Sequence, residues 1–583
     1  MITEREETIH HVDVLIIGGG FAGCFAGIKA RENGAKNVLL VDKAMAGKSG
    51  PSAFAAGVVP AFLPDQDDFD KWFKEVVELG EYLNDQDWLE IVIKEIHLCI
   101  EDIVKWGGDF IREPDGRFKR VTGRGGGPDR ALKNIMFKGP QLMEVMRKAA
   151  LNSGVKIIDR VMITDFLKNG NRIVGACGLD VRTGQFHVFH AKATALCSGA
   201  TYSKGNMLAV KNATGDAHRM AFEAGARMMN FDLISENNFS LDFDLLGMHT
   251  FAGLGGKLIN ARGEEFALHY DPVLGTRTSK PRMNAAQALE VMHGRGPIYM
   301  DMTHFTSDKI DQMRLNIPIA VKILERAGVL VNDKIVKKLI WGPSGPGSIA
   351  FGGGVRIDTE CRSNLEGLFA TGDAAAKMAA GCNEVGGGAL CWAMTSGARA
   401  GKFMAQFFSG VNDISIDQDQ LNSLRDFIFS PLNRKTGVEP DHVTLRVQET
   451  IIPCDVLIIR HGNRLKKAIE KIEEIKATEL PFLYASDPHH LMLANEARSF
   501  TLCAELYLRS GLLREESRCN LREDFPDTDN INWLKWVSLE KDGESMKFDL
   551  LDIPMDRYKY KPERKKFKSP KKGKSLLDQD FEF

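Results

Sequence analysis

The residues with the clearest chemical meaning stand near the N-terminus. Val12-Asp13-Val14-Leu15-Ile16-Ile17 is an apolar, β-branched run that stops at Gly18-Gly19-Gly20-Phe21-Ala22-Gly23. A helical pattern follows through Phe25, Ala26, Ile28 and Ala30. Gly18, Gly20 and Gly23 fit the pattern G-x-G-x-x-G: one glycine makes the turn, one admits a pyrophosphate to the backbone, and one lets helix pack on strand. The N–H groups of the helix N-terminus, aided by its dipole, hold the diphosphate. A second apolar run, Val38-Leu39-Leu40-Val41, ends in Asp42, whose carboxylate can accept hydrogen bonds from a ribose. Strand, turn, helix, strand and acid stand in order, which predicts a dinucleotide site. Lys43 follows at once. The small residues of 44–60, including Ser49 and Gly50, can bring backbone close to a flat ligand.

The elements that must position these groups are spread through the chain. Apolar residues recur at helical spacing over 66–107, through Trp72, Val76, Leu79, Trp88, Ile96 and Ile103. Residues 113–140 hold many glycines and basic residues (Arg120, Arg124, Arg130) and read as a loop over the ligand. Strands are expected at 155–166, 172–180 and 185–198, the last ending in Cys197-Ser198-Gly199-Ala200. From 232 to 350 the pattern changes, with helices expected at 284–293 and 308–328, as in an inserted domain. The dinucleotide pattern resumes at 351–373, and a glycine-rich run to Gly388 leads into a helix from Ala389. Residues 414–518 are largely helical. Residues 541–583 are strongly basic and read as a solvated arm, or as a docking surface for an acidic redox partner. The expected organisation is a dinucleotide-binding domain in two parts (1–231 and 351–410), a capping domain (232–350), a helical domain (411–540) and a basic tail (541–583).

Bulk composition narrows the class. The chain has 583 residues, 44% of them apolar and 26% charged, with a net charge of −2. That balance favours neither nucleic acid nor a membrane surface. The ten cysteines form no C-x-x-C pair, which argues against a metal or iron–sulfur site within the chain and against a disulfide scaffold. No apolar run is long enough to span a membrane, and the charged N-terminus lacks a signal core. A cytoplasmic protein is expected.

The order of motifs resembles the flavoprotein subunits of the fumarate reductase/succinate dehydrogenase family, a superfamily that also contains adenylylsulfate reductase α subunits and L-aspartate oxidases. The resemblance runs over about 12–535. It implies an α/β fold: a Rossmann-like FAD-binding domain, an inserted α+β capping domain and a C-terminal helical domain. It implies that Gly18, Gly20, Phe21, Ala22, Gly23, Asp42, Lys43, Ser49 and Gly50 bind FAD. Ala195-Leu196-Cys197-Ser198-Gly199-Ala200 is similar to a strand end beside the flavin, which adds Ser198 and Gly199. Thr214-Gly215-Asp216 with Ala224-Gly225-Ala226 is similar to a helix whose acid, here Asp216, contacts FAD. Gly372-Asp373 falls where a Gly–acid pair binds the ribityl chain, and Gly387, Ala389 and Leu390 complete the set. Arg514 to Arg518, Arg522 to Pro526 and Asn532-Trp533-Leu534 resemble the family's helical ending. Covalent members carry a histidine after the second strand. Ser49-Gly50-Pro51-Ser52-Ala53-Phe54 has none, so the resemblance implies non-covalent FAD.

The resemblance breaks at the dicarboxylate site. Glu384 stands where the family has a carboxylate-clamping arginine, Ile349 where it has a histidine, and Ala252 where a proton-delivering arginine is expected. Arginine clamps a carboxylate with paired planar donors, and a carboxylate in its place repels a dianion. These departures predict an FAD-dependent reductase of the C=C bond of a small uncharged substrate, such as an alkene or diene. The pocket would be formed by Ala252, Ile349 and Cys382. Glu384, kept protonated by burial, or Tyr202 would supply the proton. Alternatives are a dehydrogenase or oxidase of an amine, an adenylylsulfate-reductase-like enzyme, and an electron-transfer flavoprotein subunit. Electrons are expected from a ferredoxin-like iron–sulfur partner. His304 reads as structural, and Cys382 and Cys391 as small apolar packing.

Overall fold

The computed structural model describes residues 7–55, 57–122, 130–137, 141–204, 210–236, 239–245, 248–278, 280–342, 349–411 and 415–567. Its centre is a parallel sheet. The strand Thr8–Ile17 lies between Val38–Asp42 and Phe186–Leu196, and Lys156–Asp159 extends the Val38–Asp42 side. Leu368–Ala370, from far along the chain, also runs parallel to Phe186–Leu196. Arg172–Asp180 and Val161–Asn169 complete the sheet as an antiparallel pair. Parallel neighbours need a crossover, which the helix Phe21–Glu32 supplies. Val14, Leu15 and Ile16 are fully buried, which explains why the first strand reads as an unbroken apolar run.

Glycines allow the layers to touch by backbone. A Cβ on Gly23 would stand 1.9 Å from the carbonyl oxygen of Gly18. The helix Gly388–Phe408 packs on Phe21–Glu32, where a Cβ on Gly397 would lie 2.5 Å from the oxygen of Ala22 and one on Gly401 2.3 Å from that of Ala26. No side chain fits at these crossings.

The single helical stretch expected at 66–107 is two helices, Phe69–Leu79 and Gln86–Lys105. Asp68 and Asp85 cap them, accepting from the backbone N–H groups of Lys71 and of Asp87 and Trp88. The break holds Glu81 and Tyr82 in left-handed backbone, φ 51° and 61°. The helix expected at 308–328 is likewise two, Ser307–Asn316 and Pro318–Arg326, because Pro318 has no N–H to continue the first.

The inserted segment folds around its own core, which includes Leu245, Phe251, Met283, Met300 and Trp341. Its sheet has the order Phe239–Ser240, Leu339–Gly342, Ile298–Asp301, Lys257–Ile259, and the helix Lys280–Met292 lies beside it. After the second part of the central domain, Pro440–Ile451, Gly462–Thr478 and Pro488–Leu513 form a helical domain.

Two expectations about basic segments are corrected. The tail from 541 does not begin as a solvated arm: Ser545–Asp552 pairs along its length with Lys535–Asp542. Beyond it, a strap crosses the helix pair. Arg557 pairs with Asp87, Lys559 with Asp70 and Lys566 with Asp529, while Tyr558 is buried and donates to Asp85. These three charges are paired within the molecule; 568–583 lies outside the described residues. In the glycine-rich loop, Arg120 is held by Asp67 at 2.6 Å, and Arg130 is held by Glu75. Arg124 lies outside the described residues.

Candidate flavin site and adjoining cavity

A cleft runs along the carboxyl ends of the parallel strands. It is lined by Gly18, Gly19, Gly20, Asp42, Lys43, Ser49, Gly50, Ser198, Gly199 and Asp216, with Val161, Met162 and Ile163 along one wall. This is where open parallel sheets bind ligands. Gly18 has φ +109°, and a Cβ there would meet the carbonyl of Cys197 at 2.5 Å. The two Asp42 oxygens accept from Gly19 N–H and Ala44 N–H, each at 2.8 Å, so the acid also clamps the turn. Burial raises the Asp42 carboxyl, and those two N–H donors oppose the shift. Ser198 Oγ is buried without a partner.

Phe21 and Ala22 are core residues, 1% and 5% exposed, so only their backbone can face a ligand. Lys43 lines the cleft, but its ammonium is bound to Asp216 and Glu496, each at 2.7 Å. Burial alone would lower this lysine; the two carboxylates outweigh it and hold it above the ordinary range. Gly387, φ +87°, caps the N-terminus of Gly388–Phe408, and Ala389 and Leu390 form its first turn.

A second cavity lies where the cap meets the central domain. Its wall includes Asn230, Leu233, Lys280, Gly352, Lys377 and the run Ala380 to Glu384. Lys377 is the centre of its charge. It stands 3.3 Å from both Asp373 and Glu384 and is largely buried. Burial would lower this ammonium too, but Asp373 and Glu384 hold it well above the usual lysine range. Tyr202 is 8% exposed; burial, reinforced by the Asp373 charge, pushes its phenol up, so the hydroxyl keeps its proton. The structure thus brings Glu384 to a lysine that sequence reasoning overlooks; the ion pair corrects the expectation that burial keeps Glu384 protonated, and Tyr202 packs with Ala200, Val210 and Ala213 rather than on either cavity wall. The signal is present: Lys377 stands four residues after Asp373 and seven before Glu384. Lys280, from the cap, is missed because nothing in its sequence neighbourhood marks it.

Other predicted pocket residues fall differently. Ala252 is 1% exposed within the cap's own apolar core and lines neither cavity. Ile349 begins the strand Ile349–Phe351, paired with Glu236. Cys382 does line the cavity, but it is bonded to Cys519 rather than packed as a free thiol. Cys391 is buried and its thiol donates to the oxygen of Pro60 at 2.7 Å. His304 contacts the oxygen of Gly255 at 2.8 Å, in keeping with a structural part.

Residues 13–390 match the profile described as "FAD binding domain", and residues 447–567 match "Fumarate reductase flavoprotein C-term". The chain belongs to the fumarate reductase/succinate dehydrogenase flavoprotein family. It is an FAD-dependent oxidoreductase, and the cleft fits FAD. Glycines open the phosphate turn, an orphaned serine hydroxyl stands on the lining, and three apolar residues wall the far side. No histidine stands in 49–54 to bond the ring.

An FAD-dependent oxidoreductase of Methanocaldococcus jannaschii is 28% identical over 93% of this chain and 98% of its own. A CoM/CoB fumarate reductase chain of Methanothermobacter marburgensis is 27% identical over 92% and 99%. Among solved structures, E. coli quinol fumarate reductase superposes with a TM-score of 0.81 at 21% identity, covering 94% of this chain and 97% of that one. Adenylylsulfate reductase of Archaeoglobus fulgidus gives 0.76 at 23% identity, with 94% and 97% covered. These last two likenesses concern the fold.

The flavoprotein's relatives correct the expected substrate. Those named include fumarate reductases and no reductase of simple alkenes or dienes. The cavity supplies the physical reason. An apolar pocket requires Ala252, Ile349 and an isolated Glu384 around the substrate. Ala252 is elsewhere, Glu384 is ion-paired, and two lysines stand on the wall. No described helix is long and apolar enough to cross a membrane.

Proposed function

We propose that this flavoprotein is the catalytic subunit of a fumarate-reductase-type enzyme that reduces a C=C bond conjugated to a carboxylate. Electrons would come from a ferredoxin-like iron–sulfur partner. The reading includes the departures from the family pattern: Glu384 replaces the arginine clamp, and lysine supplies the positive charge. The observation that carries it is that two lysines, Lys377 from the central domain and Lys280 from the cap, line one cavity together with Glu384. A cation from each side can fix a carboxylate between two domains, and such charge-assisted contacts are the strong ones.

Bound FAD supplies hydride chemistry at the site. The chain does the rest. Gly18, Gly20 and Gly23 with the helix N-terminus hold the diphosphate, and Asp42 the ribose. Asp373 and Glu384 keep Lys377 charged and in place. Of the two expected proton carriers, Tyr202 retains its proton, while Glu384 is committed to Lys377 as a carboxylate.

The test is an anaerobic assay with a reduced viologen dye as donor. Fumarate and other α,β-unsaturated acids should reoxidise the enzyme, and the matching uncharged amides should not. Equal rates with acids and amides would overturn the reading. Lys377→Met should lower kcat/KM for the acids by about 10–100-fold, the loss of one charge-assisted contact.

A further inference from the structure

We propose that Cys382 and Cys519 form a reversible dithiol–disulfide couple that opens on this cavity and exchanges there with small dithiols. The two cysteines are 137 residues apart in sequence, with Cα atoms 5.3 Å apart and their sulfurs bonded. Cys382 lines the cavity wall together with Lys280, Lys377 and Glu384, and Cys519 is not among the lining residues.

The arms that carry the pair are fastened without the S–S bond. Cys382 N–H donates to the oxygen of Gly80 at 3.0 Å, and Asn84 donates to the oxygen of Ala379 at 2.8 Å. On the other arm, Arg518 donates to the oxygen of Glu81 at 3.0 Å, to Glu516 at 2.8 Å and to Asn530 at 2.7 Å. Both arms therefore rest on one loop, Gly80 to Asn84. Breaking the disulfide removes none of these contacts and leaves the thiols facing each other, ready to close again. A disulfide that served only as a staple would join segments otherwise loose; this one joins segments already fixed.

The exchange balances with a dithiol as reductant. Its thiolate attacks Cys382 Sγ, the Cys382–Cys519 bond breaks, and Cys519 leaves as a thiolate and takes a proton. The second thiol of the reductant then attacks the mixed disulfide, freeing Cys382 as a thiol and closing the reductant into a cyclic disulfide. Two electrons and two protons pass to the protein. The link between the turn that carries Glu384 and the C-terminal segment is then cut. The couple depends on the cavity's position alone and holds whether or not the substrate is a carboxylate.

Peptide mass spectrometry of the full-length, FAD-loaded protein tests it. Air-oxidised protein should yield a Cys382–Cys519 cross-linked peptide. Dithiothreitol added to the folded protein under anaerobic conditions should convert it to two alkylatable cysteines, and diamide should restore it. In the reduced protein, iodoacetate should label Cys382 several-fold faster than Cys519. In Cys519→Ser, the remaining Cys382 should form a mixed disulfide with a small disulfide while the protein is folded. Absence of the cross-link would overturn the proposal. So would a cross-link reducible only after denaturation, or faster labelling at Cys519.

Discussion

At the scale of single residues, charge is placed before chemistry. Lys377 is held by two carboxylates, so it carries no isolated-charge penalty and its ammonium is fixed in place on the cavity wall. Glu384→Gln and Tyr202→Phe separate the ion-pair partner of Lys377 from the group that keeps its proton. Tyr202→Phe should lower kcat with little change in KM, and Glu384→Gln, which loosens Lys377, should move KM; steady-state kinetics against an unsaturated acid distinguishes them. His218 gives a pH prediction. It is fully buried, within 2.7 Å of Thr201 Oγ1 and 3.3 Å of the oxygen of Asp373, and burial lowers its imidazole from 6.5 to about 4. Between those values the unfolded chain takes up a proton that the folded chain refuses. Stability is therefore full above pH 6.5, falls as pH drops through that window, and reaches a loss on the order of 3 kcal/mol near pH 4. His218→Gln should flatten this limb of a denaturant-midpoint-against-pH curve.

At the scale of elements, the site depends on two helices that touch by backbone. Phe21–Glu32 presents its N-terminus to the diphosphate cleft, and Gly388–Phe408 presents its own beside the cavity. Their crossing at Gly397 sets the distance between these two ends. Gly397→Val should push the helices apart, destabilise the protein by about 1–3 kcal/mol, and weaken FAD retention in gel filtration. The glycine fingerprint, the strand order around it and the second helix are legible from sequence because each leaves a local pattern. The breaks at Gly80 to Asn84 and at Pro318 are blurred by continuous apolar spacing on both sides. Pro318 is a readable stop; the left-handed backbone at Glu81 and Tyr82 is not, because neither residue type announces it.

At the scale of the whole molecule, the C-terminal strap ties the last described residues to the helix pair beside the cavity. Its exposed ion pairs, Arg557 with Asp87 and Lys559 with Asp70, each contribute at most about 1 kcal/mol. Tyr558 is 4% exposed and supplies the apolar anchor. Tyr558→Ala should cost about 2–4 kcal/mol in chemical denaturation, while Lys559→Ala should cost under about 1 kcal/mol. The sequence by itself determined the cofactor cradle and the family, because G-x-G-x-x-G, the acid after the second strand and the later glycine runs are short-range patterns set by backbone sterics. Only the tertiary structure decided what the cavity contains. Lys280, Lys377, Glu384 and the Cys382–Cys519 pair come from distant parts of the chain, and their meaning lies in which charges and sulfurs meet. Aligned one at a time, Glu384 looks like a lost clamp and Ala252 like a lost acid. Folded, Glu384 is the partner of a lysine, and Ala252 is core.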